Sequence, residues 1–81
     1  MKTATAARID VMLSTLNATD VGTLDSIREK LRMVEEELRE MEESELADRA
    51  AATLAALARG DIAEWKRGRA FLQSKIGHLR S

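Results

Sequence analysis

The spacing of apolar residues in the second quarter of the chain constrains its fold more than any other feature. Six residues alternate spacings of three and four over three consecutive heptads: Leu24, Ile27, Leu31, Val34, Leu38 and Met41. This spacing places all six side chains on one face of an α-helix, as at the a and d positions of a coiled coil. We therefore predict a long, amphipathic, coiled-coil-like helix that pairs with another helix through these six residues, which we call the seam.

The apolar stripe moves around the helix near the middle of the chain. A strict heptad register would place Glu45 and Asp48 in the seam, whereas the next stripe consists of Leu46, Ala50, Thr53 and Leu57. At 3.6 residues per turn, the stripe shifts by about 100°. Because no Gly, Pro or Asn interrupts the segment, we predict one continuous central helix over residues 24–59 that changes partner at its middle. A break at residues 42–45, with Ser44 capping a separate helix, is the alternative.

Two further helices are predicted at the ends of the chain. A short helix over residues 5–17 carries on one face Ile9, Met12, Leu13 and Leu16. After the central helix, Gly60 suits the left-handed position beyond a helix end, and Asp61 with Glu64 matches a capping box. The last helix, over residues 62–80, has an apolar stripe of Ile62, Trp65, Leu72, Ile76 and Leu79. Because the connection is short, we expect it to fold back antiparallel as an α-hairpin.

Two residues are unusual on the last helix: Arg69, which interrupts the apolar stripe, and Gly68, which lies beside it. Arg69 lies between Trp65 and Leu72, where a charge needs a partner or an open edge, and we expect a glutamate from residues 35–48 to provide it. Gly68 costs about 1 kcal/mol relative to Ala in a helix interior, so it predicts the close approach of another helix. A tolerated irregularity is the alternative for Gly68.

The composition supports a single all-α domain over residues 1–81. The chain has no Pro and only two aromatic residues, Trp65 and Phe71, so its core must be built from aliphatic side chains and Ala. A domain of this size buries only about 60% of its unfolded surface, and stability as a monomer is expected to be low. We therefore expect self-association, and name a homo-oligomer or a larger protein as the partner.

Charge is distributed unevenly along the chain. Residues 35–48 contain eight acidic residues and one basic residue, a net charge of −7, whereas residues 49–81 contain seven basic and two acidic residues, a net charge of +5. The whole chain has a net charge of −1. The acidic segment can pair with the basic segment of the same chain, with another copy or with a different partner. Solvated helix faces without such pairing are the alternative.

No constellation of residues indicates catalysis. His78, the single histidine, has no acidic residue within four positions, so neither a triad nor an oriented general base can be assembled locally. The acidic run lacks the Glu-x-x-His pairs of di-metal sites, and cysteine is absent. The four glycines are dispersed and form no phosphate-binding loop. We therefore predict no catalytic, metal or cofactor-binding residues and no enzymatic activity.

The expected location is the cytoplasm, without membrane contact. The first ten residues contain no apolar core of a secretory signal, and the longest uncharged run, residues 50–58, is far shorter than the roughly 20 residues of a membrane span. The absence of cysteine agrees with a reducing compartment.

These observations predict a non-enzymatic helical protein–protein interaction module. It could be a self-associating adaptor, a chaperone-like cofactor or a small inhibitor of a larger protein, of the kind that phages and mobile elements encode. The residues expected to carry assembly are those of the seam, and the residues expected to carry hairpin or partner packing are Trp65, Arg69, Leu72 and Ile76.

The alternative is a nucleic-acid-binding protein that uses its basic last helix. That helix contains Lys66, Arg67, Arg69, Lys75 and Arg80, which could neutralise phosphates. The adjacent acidic segment would oppose such binding, so nucleic acid is the less favoured partner.

Overall fold

The computed structural model of the chain describes residues 2–20 and 22–79, and the side chains of residues 6–19 and 22–79. Four α-helices follow one another: α1 Lys2–Asn17, α2 Leu24–Glu40, α3 Ser44–Ala58 and α4 Ile62–His78. A short 3₁₀ helix, Ala18–Asp20, extends α1. No strand occurs within the described residues, and the predicted all-α class is confirmed.

The four helices surround one core, and each packs against two others. α2 packs against α3 and α3 against α4, while α1 lies against both α2 and α4. The two connections at residues 41–43 and 59–61 are so short that the helices they join run antiparallel. Arg8 in the first half of α1 bonds to Glu37 near the end of α2, whereas the end of α1 is joined to the start of α2 by a short connection, so this pair is antiparallel as well.

All four helices contribute to the core. Its buried apolar side chains are Ile9, Met12 and Leu16 from α1, Leu31, Val34 and Leu38 from α2, Leu46, Ala47, Ala50 and Leu57 from α3, and Trp65, Leu72 and Ile76 from α4. Spacings of three and four recur in each helix, as expected for a face turned to a core. The predicted stripes thus turn inward in each helix, except at the first residues of α2 and α4, where Leu24 and Ile62 are half-exposed.

The continuous central helix that we predicted is wrong, and the break is found instead. α2 ends at Glu40 and Ser44 is the first residue of α3. Between them, Glu42 has a positive φ of 63°. The N–H of Glu42 donates to the carbonyl of Arg39 (3.0 Å), and that of Glu43 to the carbonyl of Leu38 (2.9 Å), which is the Schellman pattern of a helix end. A continuous helix would point its two stripes about 100° apart, whereas the turn lets them face each other.

The turn after α3 has the same hydrogen-bond pattern as the turn after α2, and here a glycine occupies the left-handed position, as the sequence predicted. Gly60 has a φ of 80°, its N–H donates to Leu57 (3.1 Å), and the N–H of Asp61 donates to Ala56 (2.9 Å). The Asp61 carboxylate accepts from the N–H of Glu64 (3.1 Å), as a capping residue should. Since the Asp61 N–H is bonded to Ala56, the reciprocal half of the predicted capping box is replaced by the turn.

Gly68 allows α4 to approach α3 closely, as one of the two sequence interpretations proposed. A Cβ atom placed on Gly68 would overlap the Thr53 hydroxyl and lie 3.0 Å from Thr53 Cβ and Cγ2. Thr53 is buried, and its hydroxyl donates to the Arg49 carbonyl (2.8 Å), so the side chain has little freedom to move away. The absence of a side chain at residue 68 therefore sets the distance between these helices.

We expect Gly68→Ala to destabilise the protein by about 1–3 kcal/mol, because overpacking outweighs the ~1 kcal/mol helix-propensity gain of alanine. Gly77→Ala is the matched control: nothing lies within 4 Å of its added Cβ, so this change should be neutral or stabilising. Urea unfolding monitored by circular dichroism measures both. Thr53→Ala should restore part of the stability lost by Gly68→Ala, and stabilisation by both alanine variants would contradict the close approach.

We expect Glu42→Gly to stabilise the protein by about 1 kcal/mol relative to Glu42→Ala, because glycine adopts positive φ without steric cost. The same change at Glu36, an exposed position inside α2, should instead destabilise by about 1 kcal/mol relative to Glu36→Ala. Thermal unfolding of the four variants gives both differences. If the glycine variant were less stable than the alanine variant at both sites, Glu42 would not be in a left-handed turn in solution.

Candidate interaction surfaces

The seam lies mostly inside the chain. Three of its six residues are buried in the core, namely Leu31, Val34 and Leu38. Two more are partly buried and pack against that core, namely Ile27 and Met41. Leu24 is 52% exposed. The structure thus fills most of the seam with the chain's own helices, and pairing through it with another copy would require these helices to separate.

The residues predicted on α4 lie in two environments. Trp65, Leu72 and Ile76 are buried in the core. Arg69 is half-buried; its guanidinium lies 5.1 Å from the centroid of the Trp65 ring, and its Nη1 donates to the Thr19 hydroxyl (3.4 Å). The described partners of Arg69 therefore come from its own helix and the 3₁₀ helix, rather than from the acidic segment that we predicted.

The acidic segment pairs with α1 and with itself. Arg8 Nε lies 2.6 Å from Glu37 and its Nη2 lies 3.1 Å from Glu40. The hydrogen bond to Glu37 raises the pKa of Arg8 above its ordinary value, so this guanidinium stays charged. Arg39 connects α2 to α3 through Asp48 (3.3 Å). These pairs leave part of the acidic surface turned outward.

One outward face of α2 combines carboxylates with an exposed apolar side chain. We call it the acidic ridge, and it consists of Glu29, Met33, Glu36 and Glu40. Their spacing of four, three and four keeps the side chains on neighbouring positions of one helix face. Met33 is 50% exposed. Within the described residues, Glu29 and Glu36 take part in no ion pair.

An open groove lies between the first half of α3 and the second half of α4. Its volume is about 570 Å³ and its lining residues are Glu45, Leu46, Arg49, Phe71, Lys75, His78 and Leu79. Phe71 is 37% exposed. The Arg49 guanidinium lies 4.7 Å from the centroid of its ring, and the Lys75 ammonium lies 5.8 Å from it. We call this concavity the α3/α4 groove; it has an apolar floor and a largely cationic rim.

Phe71 is the residue that the sequence interpretation missed. Trp65, which was expected to carry hairpin or partner packing, lies on the apolar stripe of α4 and is buried in the core. Phe71 lies next to the stripe residue Leu72, about 100° around the helix from it. A large aromatic residue outside the stripe was the available signal.

The basic residues of α4 are dispersed over several contacts. Arg67 bonds to Glu64 (2.7 Å), and this hydrogen bond lowers the pKa of Glu64. Arg69 contacts Trp65, Lys75 lies over the groove, and Lys66 is exposed. Arg80, also named in the nucleic-acid hypothesis, lies outside the described residues.

Other kinds of site find no support in the described part of the chain. Its His, Asp and Glu side chains form no group of three or more that could hold a metal ion. None of its helices combines the length and apolar character needed to cross a membrane.

Comparisons with models of known protein families, with curated proteins and with solved structures found no match.

We expect Arg69→Met to destabilise the fold by about 1 kcal/mol, because it removes a half-buried cation from the face of the buried Trp65 indole and a hydrogen bond to Thr19, while keeping the apolar stem. Lys66→Met, an exposed change on the same helix, should stay within about 0.5 kcal/mol of the wild type. Urea unfolding followed by Trp65 fluorescence provides the comparison. Equal midpoints for the two variants would contradict a structural role for Arg69.

Proposed function

We propose that the chain is a non-enzymatic helical protein–protein interaction module that binds its partner through the α3/α4 groove. The observation that carries this proposal is Phe71, a partly exposed aromatic ring at the floor of an open groove with two cations against it. Aromatic residues and arginine are the side chains most enriched where protein interfaces concentrate their binding energy. An adaptor, a chaperone-like cofactor and a small inhibitor are three forms of this role.

Physical chemistry favours covering this ring. Fully burying a phenylalanine side chain contributes about 1.5–3 kcal/mol, and the exposed part of Phe71 leaves a share of this free energy available to a partner. A cation over an aromatic ring contributes about 0.5–1 kcal/mol in water and about 2 kcal/mol when desolvated. A partner that excludes water from the groove would therefore strengthen the contacts of Arg49 and Lys75 with the ring.

The nucleic-acid alternative has less support. Phosphate binding needs several cations on one accessible face. Arg67 is bonded to Glu64, Arg69 turns toward Thr19, and Lys75 lies over Phe71. The acidic ridge adds a repulsive field on the same small molecule.

The proposal predicts that Phe71→Ala weakens partner binding at least tenfold without unfolding the protein. Affinity capture from lysate of the cells that produce the protein would use wild type, Phe71→Ala and Val11→Ala as baits. Val11 is 60% exposed and does not line the groove, so its variant is the matched control. A partner retained by wild type and Val11→Ala should bind Phe71→Ala at least tenfold more weakly, as at an interface hot spot.

Circular dichroism verifies that the three baits are equally folded. If all three retain the same proteins in the same amounts, the groove is not the interaction surface.

A further inference from the structure

We infer that the α3/α4 groove accepts α2 of a second copy of this chain. In this contact the acidic ridge crosses the groove, with Met33 on its floor and the carboxylates of Glu29 and Glu36 against Arg49 and Lys75. The inference rests on the proposed function and names the partner that the groove fits.

The lining of the groove restricts what can occupy it. Three apolar side chains form its floor: Leu46, Phe71 and Leu79. A purely acidic occupant would leave this floor in water, and a purely apolar one would desolvate Arg49 and Lys75 without a counter-charge. The occupant must therefore present an apolar side chain between carboxylates.

The acidic ridge has this composition. Met33 is half-exposed, and its flexible thioether forms favourable contacts with aromatic rings. Glu29 lies one turn before it and Glu36 one turn after it, on the same helix face. Neither carboxylate takes part in an ion pair in the described portion of the chain, so both are available to a partner.

The spacing of the two carboxylates on the ridge also matches the placement of the two cations at the groove. Glu29 and Glu36 are seven residues apart, which is about 10 Å along a helix. The two cations come from opposite sides of the groove, Arg49 from α3 and Lys75 from α4. Axes of packed helices are about 8–10 Å apart, so a helix crossing the groove can bring one carboxylate to each side.

One chain cannot make this contact with itself. The ridge is the outward face of α2, whereas the groove opens between α3 and α4, and both surfaces are exposed in the folded chain. Two copies related by a two-fold axis could each supply a ridge and a groove, and the contact would then form twice. Glu45 also lines the groove, and its carboxylate would repel the acidic ridge. The two cations Arg49 and Lys75 outnumber it.

Charge reversal on each surface tests the pairing. Lys75→Glu makes the groove more acidic and Glu36→Lys makes the ridge more basic, so each variant alone should associate at least tenfold more weakly than wild type. A 1:1 mixture of the two should regain association, because the changed groove matches the changed ridge and the unchanged surfaces match each other. Lys66→Glu, an exposed reversal on α4 outside the groove, should associate as wild type does.

Sedimentation equilibrium over a range of concentrations measures the mass of each sample. A wild type that remains monomeric, single variants that associate like wild type, or a mixture that does not recover would each overturn the inference. The proposed function fails separately: it stands if wild type is monomeric yet a captured partner is lost with Phe71→Ala, and it falls if capture does not depend on Phe71.

Discussion

The reversal of the chain at Glu42 is the constraint on which the other contacts depend. Without it, residues 24–59 would form a rod of about 54 Å, with two apolar stripes pointing in different directions. Holding a glutamate in the left-handed region costs about 1–2 kcal/mol. Burying Leu31, Leu38 and Leu46 contributes about 1.5–3 kcal/mol for each side chain, so packing α2 on α3 outweighs the local strain.

The close approach at Gly68 connects this core to the groove. Because Gly68 faces Thr53, the stripe residues Trp65 and Leu72 on either side of it in α4 turn into the core. Phe71 projects to the other side of the line of contact and stays at the edge of the helix pair. The packing that stabilises α3 and α4 thus also exposes the aromatic ring proposed to bind a partner.

Sequence patterns predicted the features that depend on neighbouring residues. Gly60 and Asp61 specify a helix end locally, so this end was identified. A mid-helix glycine indicated the close approach of another helix as one of two interpretations, and the contact with Thr53 supports that one. Glu42 carries no such local signal, since glutamate favours helix. Only the shift of the stripe indicated a break, and a continuous helix that changes partner also explained that shift. The partners of Arg69 and the exposure of Phe71 depend on which helices become neighbours, which periodicity does not specify.

The charges have a different role from the apolar stripes. Exposed ion pairs such as those of Arg8 and Arg39 contribute little to stability, because water already solvates both partners. The fold therefore does not require the carboxylates of Glu29 and Glu36 to be paired within the chain. At an interface, charge complementarity governs the rate and specificity of association more than its strength. The apolar stripes of the core thus determine the fold of the chain. The separated charges on its surface can select what binds to it.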